Sequence, residues 1–462
     1  MNYTYQDWLK VANESEEARM NFIWAAIGDH KTSPAYIDAC VGEDYYNGFN
    51  TTIKRLQKLI YNAAGQAVPD LISANHKLAT RFFYREVTQT ISTLLGNGVS
   101  WSPKKKTGDA LGKKKDFDGS IIDIATYAQV EGSCFGFWNF DHIDVFPLTQ
   151  FKPLYDTENG GLFAGFRFWQ LASDKPMRVT CYEVDGYTDY LFSSSGVGEV
   201  MGNGKRYYIE HTKTSEADGT IIYAGENYPA FPIIPCFCNK TKTSEILPLR
   251  PTIDAYDLIS SGYANDIDDA NIIYWTITNA GGMDDEDLIK FVDKLRKVHA
   301  AQVDSDQQIQ ANSVDISYEG REAILDRLEA QLYKDSMTVN TYDMASGSTT
   351  ATEIIAAYTP LNQKLDLLEP YISDFIHRLL FVAGIEDDDP TYDRSGIINK
   401  SEEIDNLMKS ALYLDDEYLT EKLMTLFGDK DRIDEYKKRK AENDVNRLTR
   451  GKNGDTESEQ AE

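Results

Sequence analysis

Apolar positions recur at helical spacing through much of the first hundred residues. In NHKLATRFFYREVTQTISTLLGNG, which begins at Asn75, the residues Leu78, Phe82, Val87, Ile91 and Leu94 follow that spacing. The pattern predicts a helix over 75–95, capped by Asn75 and stopped by Gly96 and Gly98. IIDIATYAQVEGS (120–132) predicts a second amphipathic helix. The period then changes to that of strands. Aromatic-rich or alternating runs at 135–140, 163–172 and 177–192 predict strands, the last folded at Asp185–Gly186. Strand-like composition continues to about residue 240, so a β-rich block at 135–240 separates two helical regions.

From residue 245 the helical period returns. PLRPTIDAYDLISSGYANDIDDANIIYW predicts one long helix over 248–275 with a narrow stripe of small and apolar residues. Ile253, Tyr256 and Ile267 are its candidate packing positions. A small unit follows: TITN as a strand, a turn at Gly281–Gly282, a helix over 284–298, and two short strands in AAQVDSDQQIQANSVDIS. Asp284, Asp285 and Glu286 sit in the first turn of that helix and Lys294 and Arg296 in its last, with Lys290 between, an arrangement that complements the helix dipole. Residues 319–339 predict a second long helix with Ile324, Leu325, Leu328 and Leu332 on one face. A small, nearly uncharged loop then carries Ser346, Gly347, Ser348, Thr349 and Thr350. The next helix contains Pro360 and Pro370, where kinks are expected because each removes a backbone donor. A loop and short strand over 386–400, a helical region over 401–446 and a polar, disordered tail complete the reading.

Composition narrows the class. At 462 residues, with 42% hydrophobic and 12% aromatic residues, the chain is folded and exceeds what one core serves. Its formal charge of −27 argues against gripping nucleic acid by counterion release. Five cysteines, with Cys236 and Cys238 in an apolar strand-like stretch, read as core residues in a reducing compartment. The acidic N-terminus does not read as a signal peptide, and no apolar run reaches the roughly 18–20 residues of a membrane span.

Candidate chemistry is sparse. GVGEVMGNGKR (196–206) has Glu199 where a phosphate-binding loop needs its first glycine and Arg206 where it needs Ser or Thr, and reads as a glycine-rich turn. There is no GxSxG and no HExxH. The acidic runs at 386–389 and at Asp266, Asp268 and Asp269 read as solvated or interface charge, as do the lysines at 104–106 and 113–115. The basic run at 437–440 reads either as an exposed helix face or as a surface that meets DNA. No catalytic, metal or cofactor constellation emerges. A long, helix-rich chain of this kind reads as a non-enzymatic assembly protein.

The order of parts resembles the portal proteins of tailed double-stranded DNA bacteriophages. The resemblance runs over roughly 40–445 and rests on GEDYYNGFN (42–50), the segment 75–101, FPLTQFKPLYDTE, FPIIPCFCNKTKTSEILPLRPTIDAYDLISSGYANDIDD, AILDRLEAQLYKDS and SGSTTATEIIAAYTPLNQK. It departs at the loop-to-helix join, where Ala345-Ser346-Gly347-Ser348-Thr349-Thr350-Ala351 stands in place of the frequent Asn-Ser-Gly-x-Ala-Leu. The resemblance implies an α+β, mostly helical fold: a wing over 1–245 with the β-rich insertion, stem helices at 246–273 and 317–339, a clip at 274–316, a tunnel loop at 340–352, a return to the wing over 353–400 and a crown at 401–446. It also implies a homo-oligomeric ring, usually of twelve copies, at one capsid vertex. Double-stranded DNA would pass through its channel. Its partners would be the terminase large subunit, a head-completion adaptor, and the major capsid and scaffold proteins, with no membrane. The resemblance places Ser346–Thr350 in the channel, Asp284, Asp285, Glu286, Lys290, Lys294 and Arg296 in the clip, and Ile253, Tyr256, Ile267, Leu325 and Leu328 in stem packing. Localisation follows as virion, with assembly in the host cytoplasm. The alternatives are another head or tail component of adaptor type and a nucleotide-using enzyme.

Overall fold

A computed structural model describes residues 3–61, 65–70, 74–102, 105, 107–112, 116–202, 204–214, 221–270, 274–278, 286–287, 290–291, 308–312, 318–345, 351–394, 404, 407–427, 432–433 and 435–440. The chain divides into two compact units, residues 1–340 with 359–395 and residues 341–358 with 396–462.

The larger unit begins with α1 (Tyr5–Ala12), α2 (Glu16–Lys31) and α3 (Pro34–Tyr46), each opened by a hydroxyl side chain, of Thr4, Ser15 and Ser33, that accepts from a first-turn backbone N–H. Then come α4 (Thr51–Arg55) and a hairpin of β1 (Leu59–Tyr61) and β2 (Ala67–Pro69), which the periodicity misses. The predicted helix over 75–95 is shorter: α5 spans Phe82–Leu95, and 74–81 carries no helix or strand. After β3 (Val99–Ser100) and α6 (Thr107–Gly112), α7 spans Phe117–Glu131.

The β-rich block forms as expected. Strands β4 (Ser133–Asn139) and β5 (His142–Pro147) pair with each other, and β13 (Ile233–Phe237) completes a sheet of order β13-β4-β5. A five-stranded antiparallel sheet of order β10-β9-β8-β7-β6 joins β6 (Phe151–Tyr155), β7 (Leu162–Trp169), β8 (Met177–Glu183), β9 (Gly186–Phe192) and β10 (Gly198–Val200). Here the glycine-rich stretch is a turn and edge strand. Strands β11 (Ile209–Thr214) and β12 (Ile221–Glu226) make a hairpin. In β9 the alternation is strict: Thr188, Tyr190 and Phe192 are buried and the residues between them are not. That face packs under α1 and α2 in a core of Trp8, Phe22, Ile23, Ile27, Phe166 and Phe192. A second aromatic core around Phe135, Phe146, Phe151 and Tyr182 lies between the sheets.

Helix α8 spans Ile246–Ala270. Tyr274 and Trp275, expected at its end, instead open β14 (Tyr274–Thr278), which pairs with β15 (Gln308–Asn312); the β-favouring run YWTIT decides this. Helix α9 spans Tyr318–Ser336, α10 Thr341–Ala345 and α11 Ala351–Ala383, and α11 stays helical through Pro360 and Pro370. Phe375 of α11 rests on Gly136 of β4, where an added Cβ would lie 2.6 Å from the Phe375 ring. Strand β16 (Thr391–Tyr392) pairs with β3. In the smaller unit α12 (Asp416–Phe427) has no buried residue, and Lys437 of the basic run pairs with Glu417 at 2.7 Å and Glu421 at 2.6 Å.

Candidate functional site

The buried stripe of α8 changes character along its length. Ile246, Leu249 and Ile253 are buried apolar side chains; Asp257, Ser261 and Asn265, at the following helical positions, are buried polar ones. Segment 74–80 lies along them. Thr80 N donates to Asp257 Oδ1 at 3.0 Å, Leu78 N to Ser261 Oγ at 2.9 Å and His76 N to Asn265 Oδ1 at 2.6 Å. The spacing is physical. Four residues of helix advance about 6 Å, and two residues of extended chain advance about 6.6 Å. Every fourth side chain on α8 therefore meets every second N–H of the segment. The His76 ring contacts Asp268, one step further.

At its other end the seam holds the α3–α4 corner. Asn50 Nδ2 donates to Asp257 Oδ2 at 2.8 Å, Tyr45 donates to Asn50 Oδ1 at 3.1 Å and also to Asp254, and Thr52 Oγ1 donates to Asp254 Oδ2 at 2.9 Å. Burial pushes the Asp257 carboxyl above its ordinary value, against the pull of the Asn50 and Thr80 hydrogen bonds.

Helix α9 runs beside α8, with Arg321 paired to Asp266. It ends at Met337 with φ +57°, where Met337 N donates to Lys334 O at 3.2 Å and Thr338 N to Tyr333 O at 3.2 Å. This terminus is clamped onto α5. Gln89 accepts from Val339 N at 3.0 Å and donates to Val339 O at 3.2 Å. Lys364 of α11 donates to Ser336 O at 3.3 Å, pairs with the buried Glu86 and lies 3.7 Å from Glu245. Burial raises Glu86; burial also opposes charge on Lys364, but Glu86 and Glu245 outweigh it and raise Lys364, so the ammonium is retained. A cleft of about 590 Å³ opens beside Lys364, lined among others by Gln129, Cys238, Asn239 and Tyr371. Burial raises the Cys238 thiol well above its ordinary value, which leaves no ready nucleophile there. Among the described residues no group of three or more His, Cys, Asp or Glu is arranged to hold a metal.

Ile253 is fully buried, Tyr256, Leu325 and Leu328 are half-buried, and Ile267 is exposed. Glu286 and Lys290 form an exposed pair at 3.5 Å. Asp284, Asp285, Lys294, Arg296 and the loop Ser346, Gly347, Ser348, Thr349 and Thr350 lie outside the described residues. The polar seam was missed by the search for chemistry. Its trace in the sequence is the polar recurrence Asp254, Asp257, Ser261, Asn265, Asp268 at steps of three and four.

The family model for "Phage portal protein, SPP1 Gp6-like" matches residues 36–445. The chain belongs to the phage portal protein family. It is 24% identical over 433 residues to the portal protein of Bacillus phage SPP1, covering 87% of this chain and 82% of that one. It is 25% identical over 202 residues to the portal protein of Clostridium phage phiCD119 (strain Clostridium difficile/United States/Govind/2006), covering 41% of this chain and 44% of that one. Among solved structures, a chain in the virion of a native gene transfer agent particle aligns with TM-score 0.44 at 11% identity, over 75% of this chain and 89% of its own. A chain from the neck of the native particle computed with C12 symmetry aligns with TM-score 0.42 at 12% identity, over 74% and 89%. Family membership decides between the portal reading and the adaptor-type alternative.

Two substitutions separate the supports of this portal-family chain. Lys364→Met leaves Glu86 buried without its cation and should cost about 3–5 kcal/mol in denaturant unfolding. Asp257→Ala orphans the Thr80 N–H and the Asn50 amide and should cost about 2–4 kcal/mol, with hydrogen exchange rising first at 76–80.

Proposed function

We propose that copies of this chain form a ring at one capsid vertex, through which double-stranded DNA enters during packaging and leaves at ejection. The family match over 36–445 carries this reading. The chain itself supplies no energy-transducing site; a separate motor, the terminase large subunit, drives the DNA, and a head-completion adaptor later docks on the same ring. Assembly runs in the host cytoplasm with the major capsid and scaffold proteins. Helices α8 and α9 serve as the stem, residues 274–316 as the clip, and 401–446 as the crown. Residues 340–352 reach the channel, and Ser346–Thr350 form the tunnel loop.

Physical chemistry supports the assignment. A ring of one chain needs two different faces per copy. Leu258 and Ile267 on α8 and Ile324 on α9 are exposed apolar residues that a neighbouring copy would cover. The clamp of Gln89, Glu86 and Lys364 on the end of α9 gives the following loop a fixed origin. A net charge of −27 keeps moving phosphates from sticking.

Electron microscopy of the purified chain, alone and with capsid and scaffold proteins, should show closed rings; monomers under every condition would refute the reading. Replacing Ser346–Thr350 by lysines should leave rings intact and reduce packaged DNA, because each added cation pairs with passing phosphate. Unchanged packaging would reduce the loop to a spacer.

A further inference from the structure

A close helix crossing joins α3 to the end of α7. A Cβ added at Gly42 would lie 1.8 Å from Val130 O and 2.9 Å from Ser244 Oγ. Ser244 Oγ in turn donates to Val130 O at 2.5 Å. The next residue on each helix is a glutamate. Glu131 is 1% exposed. It also ends its helix, where the dipole disfavours negative charge. Thr149 ties the two carboxyl groups together: its Oγ1 is 3.2 Å from Glu43 Oε1 and 3.5 Å from Glu131 Oε1, while its N–H donates to Glu131 Oε2 at 3.0 Å.

The groups that surround this pair add no cation. Tyr36 and Cys40 face it from α3, Tyr127 from α7 and Cys134 from β4, with Asp44 beyond Cys40 and Asp123 beyond Tyr127. Behind Thr149, His30 contacts Leu148 O at 2.9 Å, and burial lowers its pKa to about 4, which keeps it neutral. Lys152 lies beyond His30, and burial lowers its pKa too. On the Ser244 side, Lys242 sits over the Phe237 ring at 4.2 Å and Glu245 is held by Asn239 and Lys364. Arg250 is taken by Asp254 at 3.7 Å.

We propose that Glu131 keeps its proton where it meets Glu43 and clasps α3 onto α7, so that removing this proton as pH rises loosens the crossing. The close approach at Gly42 brings the two helices together beside Thr149, so losing the proton puts a negative charge on the buried Glu131 next to a second carboxyl. Burial, then Glu43, raise Glu131 well above its ordinary value. The sign follows: a raised carboxyl contributes stability that is complete below its unfolded pKa and disappears as pH climbs through its folded one. This clasp is independent of the portal assignment.

The test is thermal unfolding of the full chain at about pH 6 and about pH 9. Wild type should lose roughly 2–4 °C more than Glu131→Gln across that interval. Hydrogen exchange at α3 and the end of α7 should rise with pH in wild type alone. If Glu131→Gln does not fold, Glu43→Gln serves in its place, because it removes the second charge and should flatten the slope. Identical pH slopes in wild type and in the folded variant would overturn the proposal.

Discussion

A buried polar side chain must find a hydrogen-bond partner, and along α8 that requirement organises the larger unit. Segment 74–80 has no sheet to join and does not continue α5. Its N–H groups at 76, 78 and 80 bond to Asn265, Ser261 and Asp257 instead. The same Asp257 holds Asn50, and through Asn50 and Tyr45 the corner between α3 and α4. One helix face thus serves as core at Ile253 and as a hydrogen-bond template one turn later. A segment registered on a helix this way cannot slip by one residue without orphaning all three donors, so the seam sets where α5 begins.

Buried charge is handled in two different ways a short distance apart in the chain. Glu86 keeps a cation, because Lys364 reaches it from α11 and also touches Ser336 O. The arrangement ties together α5, α11 and the end of α9, the point from which the chain leaves for residues 346–350. Glu131 has backbone and hydroxyl donors at Leu148 and Thr149 and another carboxyl beside it. In the first pair Lys364 is raised and stays charged. The proposed second clasp loosens as pH rises. The end of α9 anchored by the first pair and a helix crossing set by the second would react differently to the same change in solvent.

How far the sequence could be read depended on whether a residue's partner was local. The alternation in β9 and the apolar spacing Phe82, Val87, Ile91, Leu94 are local signals, and both elements form. Asn75 looks like a helix cap by the same local logic. Its segment is drawn off the helix because three side chains 177 to 189 positions away supply better acceptors. Tyr274 and Trp275 fit the end of a helical pattern, yet they pair in register with Asn312 and Ala311. Nothing around Glu86 in the sequence points to its cation, because Lys364 sits 278 positions along the chain. None of these partners leaves a mark in its own neighbourhood.

Local pattern alone carries the periods of most elements, the β-rich block between helical regions, and a family's order of parts over most of the chain. Those properties follow from local sterics and from the side-chain spacing of one segment at a time. Only the tertiary structure decided which polar residues are buried and what satisfies them. Asp257, Glu86 and Glu131 are equally polar in the sequence; one caps backbone donors, one holds a lysine and one faces a second carboxyl. Their roles depend on distance and on exclusion of water, which exist once remote segments have packed together.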